Sequence, residues 1–240
     1  MKLARQTTVG ADRDLAVRLR ERLRYGLVTQ EVLDRLARKG LVFYPYDIVQ
    51  ESIRGISDIE VPATAGDVRV APLGPEDVDL VANLPCRPLS PRLIAERVKQ
   101  SQGFGVFINR ELAGYTWVNF RKVPIPLNGG VLFELDSRGA YLFDMYIARA
   151  HRGKRLAPWL RRRCNEQLIQ SGRDRIYSIS LVFNSSTRRF KSRIGSVELE
   201  RRLLMRVGRF FACDVRLRAF AAEALPTPRV KTFQPRQRST

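Results

Sequence analysis

The segment YIARAHRGKRLAPWL, residues 146–160, constrains the fold more than any other stretch of this chain. An apolar run predicts a buried strand over 140–148, and a helical pattern begins almost at once after it. Gly153 lies between the two, among the basic residues Arg149, Arg152, Lys154 and Arg155. Unpaired N–H groups at a helix N-terminus attract anions, and glycine allows close approach to the backbone. This basic turn, residues 149–155, predicts a phosphate site at a strand-to-helix junction; the alternative is a solvated surface turn.

The elements around this junction predict one α/β domain. Strands are predicted over 68–73, 104–109, 112–120, 131–135, 140–148, 175–183, 196–207 and 209–218, and helices over 74–84, 90–101, 155–171 and 185–193. The spacing at Asn109-Arg110-Glu111 predicts a hairpin, and RKVPIPLNGG (121–130) is interpreted as a loop. This order predicts a three-layer fold, in which helices flank a mixed, mostly antiparallel sheet.

The two ends of the chain differ from the middle. Helical patterns over 11–25 and from Thr29 to Gly40 predict a helical extension over 1–60, with LVFYPY (41–46) as a short strand or an anchoring segment and a linker at 59–67. The main domain is assigned to 61–225. The tail over 226–240 is basic and proline-rich, which predicts disorder. A lid, a contact in a homodimer and a dock for a partner remain open roles for 1–60.

Charge is concentrated in the C-terminal part of the chain. Residues 151–240 hold 22 Lys and Arg against 6 Asp and Glu, so they carry +16 of the net +19. Such a field attracts the phosphates of a cofactor, a nucleic acid or a membrane, although solvated arginine is the alternative. Three separated cysteines and one histidine form no disulfide or metal framework. With no transmembrane segment and no secretory signal in the pattern, we expect a cytoplasmic protein.

The basic turn resembles a known motif. YIARAHRGKRLAPWLRRRC is similar to the acyl-CoA-binding segment of the GNAT superfamily of N-acyltransferases, whose pattern is Arg/Gln-x-x-Gly-x-Gly/Ala between a strand and a helix. Arg152 matches the first position and Ala157 the last, whereas Arg155 replaces the middle glycine. Arg155 still provides a backbone amide at this position, and the side chain of Arg155 could pair with phosphate.

A second match lies after the next strand. The family carries an Asn eleven residues before a Gly, across a short helix, and Asn184 and Gly195 have that spacing. A plain helix cap is the alternative role for Asn184. The element order over 68–218 also resembles GNAT topology, so the resemblance covers about two-thirds of the chain.

The resemblance implies where a cofactor would bind. The sheet would open between 140–148 and 175–183, and the pantetheine arm of acetyl-CoA or another acyl-CoA would pair with free backbone near Ile147 and Arg149. The pyrophosphate would rest on the amides of 152–157. The cofactor-binding residues expected in this stretch are Ile147, Arg149, Arg152, Gly153, Lys154, Arg155, Leu156 and Ala157, and Asn184 is expected to join them.

The resemblance also suggests catalytic groups. Asp144 lies where relatives often carry a carboxylate and is the candidate base, with a structural hydrogen bond as the alternative. The family's proton donor, a tyrosine seven residues after the asparagine, is replaced by Lys191. Lys191 itself, solvent, or one of Tyr141, Tyr146 and Tyr177 could protonate the departing thiolate.

Together these features predict an N-acyltransferase, in the first place an N-acetyltransferase. It would act on a primary amine of a small molecule or a protein, and the acceptor could itself be anionic or membrane-bound. The rival is a non-catalytic binding module of the same fold that engages nucleic acid or an anionic surface through 151–240. The lack of basic patches rich in aromatic residues counts against nucleic acid.

Overall fold

The computed structural model describes residues 27–52, 67–85, 89–127, 130–208 and 211–220. The helix predicted over 11–25, nearly all of the linker at 59–67 and the tail from Pro226 lie outside these ranges. Within them the chain forms a large sheet with helices on both faces, as the element order predicted.

Ten strands lie in the described ranges, and eight of them form the main sheet. The strands in chain order are β1 (Leu41–Gln50), β2 (Val68–Leu73), β3 (Gln102–Ile108), β4 (Glu111–Asn119), β5 (Lys122–Pro124), β6 (Val131–Glu134), β7 (Gly139–Ile147), β8 (Arg175–Leu181), β9 (Val197–Val207) and β10 (Phe211–Ala219). The sheet order is β10-β9-β1-β8-β7-β4-β3-β2, and β5 and β6 form a separate small sheet. β7 and β8 run parallel, and every other neighbouring pair is antiparallel.

Five α-helices accompany the strands in the described ranges. They are α1 (Leu27–Arg38), α2 (Val78–Ala82), α3 (Pro91–Gln100), α4 (Leu156–Gln170) and α5 (Ser185–Arg193). The helix predicted to end at Gly40 is α1, and Gly40 follows it with a φ of 87°. None of these helices has the length and apolarity that a membrane span requires.

The core consists of layers on the two faces of the sheet. On one face, Leu156, Leu160 and Leu168 of α4 are buried against the main sheet. Burying a leucine side chain contributes roughly 1.5–3 kcal/mol, so this apolar stripe fixes α4 on the sheet. On the other face, α2 and α3 cover Trp117, and the small sheet packs over Tyr141.

Strand β1 belongs to the main sheet. The prediction of a strand at 41–46 is confirmed, but β1 is longer and lies between β8 and β9. Its residues Val42, Tyr46, Ile48 and Val49 are all buried. A strand buried on both faces is a central strand, so a boundary at residue 60 does not separate β1 from the domain.

Two connections between strands show one success and one correction. The hairpin predicted at Asn109-Arg110-Glu111 is confirmed, with φ of 49° at Asn109 and 72° at Arg110 in the two-residue turn. The interpretation of 121–130 as a loop is wrong in part. This segment contains β5, which pairs with β6. Val123 and Phe133 are partners in this pairing, and both are buried.

Candidate functional site

The main sheet opens between its two parallel strands. β7 and β8 are paired only over Gly139–Leu142 and Arg175–Ser178. β7 then continues as Phe143–Ile147, which pairs with β4 on its other side but has no partner residue on β8. This opening, called the gap below, confirms the separation of strands that the resemblance implied.

A β-bulge interrupts the free half of β7. Asp144 and Met145 together lie opposite Thr116, and Asp144 has a φ of 52°. The carboxylate of Asp144 pairs with the guanidinium of Arg97 on α3, on the face of the sheet opposite α4. The structure therefore gives Asp144 a structural hydrogen bond, donated by Arg97, which was the alternative to a catalytic base.

The basic turn lies at the open end of the gap. The chain leaves β7 through a short 3-10 helix, Arg149–His151, and then passes Gly153, which has a φ of 81°. A Cβ added at Gly153 would meet no atom within 4 Å, and Lys154 beside it is exposed. The first N–H groups of a helix lack intrahelical acceptors, so they are available to an anion. Because residues 152–155 are exposed, an anion can reach the start of α4.

Arg155 is the N-cap of α4 and has a left-handed backbone. Its φ is 58° and its ψ is 17°. This conformation costs an L-residue roughly 1–2 kcal/mol, whereas glycine adopts it freely. The GNAT pattern has glycine at this position, and Arg155 has a backbone conformation that glycine favours although the residue has changed.

The other residues predicted to bind the cofactor surround this turn. Arg152 donates from Nε to the carbonyl oxygen of Ile147 at 3.2 Å, which links the turn to the end of β7. Arg149 is exposed, and Ala157 is half-buried in the first turn of α4. The side chain of Leu156 is buried in the core, so only its backbone can face a ligand.

Asn184 caps helix α5. Its side-chain oxygen accepts a hydrogen bond from the backbone N–H of Thr187 at 3.0 Å, which confirms the helix-cap role. Gly195, with a φ of 70°, lies just beyond the end of the same helix. The spacing of the second motif therefore matches a capped short helix, and contact of Asn184 with a cofactor stays a prediction.

Lys191 points from α5 into the protein. It is 6% exposed, and among the described residues its Nζ has no hydrogen-bond partner. Burial lowers the pKa of Lys191 to about 8, a shift that nearby Glu51 opposes and Arg161 reinforces. A cavity of about 150 Å³ lies beside it, lined also by Val49, Ser180, Arg188, Ser192, Ser196 and Glu198.

A buried polar cluster, which sequence reasoning missed, lies at the narrow end of the gap. Ser178, the last residue of β8 that pairs with β7, donates to Oε1 of Glu51 at 2.7 Å. Nε of Arg161 lies 3.4 Å from Oε2 of Glu51, and Nη2 of Arg161 donates to Sδ of Met145 at 3.7 Å. Asn165 follows Arg161 by one turn of α4. Glu51, Arg161, Asn165 and Ser178 are called the apical cluster.

The three tyrosines considered as proton donors have other roles in the structure. The hydroxyl of Tyr146 donates to the carbonyl oxygen of Pro85 at 2.8 Å. Tyr141 and Tyr177 are buried in the core beneath the small sheet, and burial raises the pKa of both hydroxyls. These contacts are those of core and rim residues.

Comparisons with known proteins identify the fold. No family model and no curated protein matches this sequence. A tandem GNAT protein from the clavulanic acid biosynthesis pathway has a similar structure, with a TM-score of 0.50 and 15% identity over 75% of this chain and 57% of that one. A conserved protein of unknown function from Staphylococcus epidermidis has a TM-score of 0.51 and 6% identity, over 73% of this chain and 66% of that one.

A shorter protein matches over a smaller part of the chain. The ribosomal-protein-alanine N-acetyltransferase from Brucella melitensis biovar Abortus is 17% identical over 53% of this chain and 91% of its own, with a TM-score of 0.41. The mixed eight-stranded sheet flanked by helices is similar to the structure of the tandem GNAT protein. This chain therefore has the GNAT fold.

Proposed function

We propose that this chain is an acyl-CoA-dependent N-acyltransferase that acts on a primary amine of a small molecule or a protein. The observation that carries the proposal is the gap between β7 and β8, whose free strand edge leads directly to the basic turn. Both features lie on one continuous segment, 143–157. Acetyl is the simplest acyl group for such a site.

The described residues fit an acyl-CoA. The free edge of Phe143–Ile147 can pair with an extended amide-containing chain, as an added strand would. The first amides of α4, with Arg149 and Lys154 nearby, can hold a diphosphate. When bound, acyl-CoA supplies a thioester, an acyl group already activated toward attack by an amine.

β7 is proposed to hold the two reactants in register. Fixing their geometry removes much of the entropic barrier to a bimolecular reaction. A backbone N–H near Ile147 is proposed to stabilise the oxyanion. Asp144 is proposed to accept the proton of the amine, because it is the one carboxylate on the free half of β7, and it would share its charge between the amine and Arg97.

Lys191 is proposed to protonate the departing thiolate. Its ammonium is buried, and a pKa of about 8 means that it still carries a proton at neutral pH yet releases it more readily than an ordinary lysine. Lys191 occupies the position, seven residues after Asn184, at which the GNAT family carries its proton-donating tyrosine.

Binding of acetyl-CoA and release of CoA test the proposal. We expect acetyl-CoA to raise the Tm of the wild-type chain, because it binds only the folded state. Gly153→Glu should lose this rise, since it places a carboxylate at the proposed diphosphate site. Gly172→Glu is the matched control: Gly172, after the other end of α4, has a φ of 79° and equally open surroundings.

The outcomes separate the transferase from the rival. Release of free CoA thiol with a member of an amine panel would support transfer. A chain that shows no response to acetyl-CoA but binds DNA with a steep salt dependence would contradict the proposal and support a basic binding module. The departures at Arg155 and Lys191 are the observations that favour this second candidate.

A further inference from the structure

The apical cluster and its neighbours hold more polar groups than they pair. Among the described residues, Nη1 of Arg161, both amide atoms of Asn165, Oγ of Ser180 and Nζ of Lys191 are buried without a hydrogen-bond partner. None of these four residues is more than 6% exposed. An unsatisfied buried polar group costs roughly 1–3 kcal/mol. Several such groups close together therefore indicate a ligand with its own polar atoms.

The charges in this region are also unequal. Four cations surround three carboxylates here: Glu51 faces Arg161 and Lys191, while Asp47 and Glu198, which also act on Lys191, are paired with Arg188 and Arg201. Asp47, the next buried carboxylate, is already held by two hydrogen bonds from Arg201, at 2.7 and 3.1 Å. Because buried charges need partners, the region favours one further negative charge.

The position of the cluster relates it to the gap. A path along the free edge of β7 from the basic turn leads from Ile147 toward Met145. Arg161 contacts Met145, and Glu51 contacts Ser178, where the two strands come together. A ligand that enters at the basic turn and follows β7 inward would therefore end at the apical cluster.

We propose that Arg161 and Asn165 bind a carboxylate at the far end of the acyl group, so that the preferred donor is the CoA thioester of a dicarboxylic acid. This inference rests on the proposed function and names its donor class. Arg161 would donate from Nη1 and Asn165 from Nδ2. The amine nitrogen forms the new C–N bond and the C–S bond breaks; the amine proton goes to Asp144, and the thiolate takes one from Lys191.

Two thioesters that differ in one group test the inference. Succinyl-CoA and butyryl-CoA both have four-carbon acyl groups. The succinyl group ends in a carboxylate, and the butyryl group ends in a methyl group. Titration calorimetry should show succinyl-CoA binding at least about tenfold more tightly, a difference of about 1.4 kcal/mol. Equal dissociation constants would overturn the inference and leave the proposed function intact. Failure of both thioesters to bind would contradict the proposed function itself.

Variants on α4 locate the preference. Asn165→Leu removes the amide at similar volume and should weaken succinyl-CoA binding more than butyryl-CoA binding, which reduces the preference between the two thioesters. Arg161→Met is combined with Glu51→Gln, so that no buried carboxylate is left unpaired, and should have the same effect. Arg163→Met, on the exposed side of the same helix, is the control and should preserve the preference.

Free succinate is the third probe. A rise in Tm with succinate alone, lost in Asn165→Leu, would assign the carboxylate site to a free anion and overturn the assignment to an acyl donor. A rise only with succinyl-CoA, at the same concentration of carboxylate, would support it.

Discussion

The basic turn and the apical cluster form the two ends of one gap, and they are built in opposite ways. The turn is exposed, is proposed to bind through backbone amides and comes from one contiguous segment, 149–155. The apical cluster is buried, is built from charged and polar side chains and combines residues from β8, α4 and the position just after β1. A site built from backbone amides should tolerate a changed side chain, as we propose for Arg155, whereas a buried charge site depends on every partner.

The first prediction compares the two ends by their contribution to stability. Glu51→Ala leaves Arg161 without its carboxylate in the interior, so we expect unfolding free energy to fall by about 3–5 kcal/mol. Glu166→Ala, which breaks partly exposed pairs with Arg162 and Arg163 on the same helix, should cost at most about 1 kcal/mol. Urea denaturation measures both, and similar losses would contradict the contrast.

The second prediction uses the lysine beside the apical cluster. The pKa of Lys191 is lowered from its ordinary 10.5 to about 8 in the folded chain. Between these values the unfolded chain holds a proton that the folded chain has lost, so stability rises with pH across this window. Relative to Lys191→Met, the wild type should gain roughly 1–3 kcal/mol between pH 7.5 and pH 10. Parallel pH profiles of the two proteins would show that Lys191 is not desolvated.

The third and smallest effect concerns the basic turn. Arg155→Gly should raise unfolding free energy by up to about 1 kcal/mol, because the left-handed backbone no longer opposes a side chain. Lys154→Gly is the control: Lys154 has no positive φ, so glycine there should lower stability by roughly 0.5–1 kcal/mol. Thermal unfolding of both variants gives the sign, and a loss in both would contradict retention of the glycine backbone.

The sequence predicted the parts of the fold that local chemistry determines. The bounds of α5 match the expected 185–193 because Asn184 caps it, and the hairpin follows from its two-residue turn. The strand-to-helix junction was equally readable, since one short segment carries its apolar run and its glycine.

What the sequence did not predict depends on distant partners. The place of β1 inside the sheet is decided by pairing with β8 and β9, more than a hundred residues away. Glu51 meets Arg161 and Ser178 only once that pairing exists. The available signal was that Arg161 and Asn165 directly follow the apolar positions Leu160 and Cys164 on α4, a spacing that also suits an ordinary polar flank.

Hydrogen exchange with and without CoA tests the central claim most directly. If the gap accepts acyl-CoA, CoA should slow exchange of the amides over 143–147 and at the start of α4 from Gly153. Exchange in β9 and β10, at one edge of the sheet, should stay unchanged. Protection that is absent from these two segments at saturating CoA, or that appears only elsewhere, would contradict a cofactor site between β7 and β8.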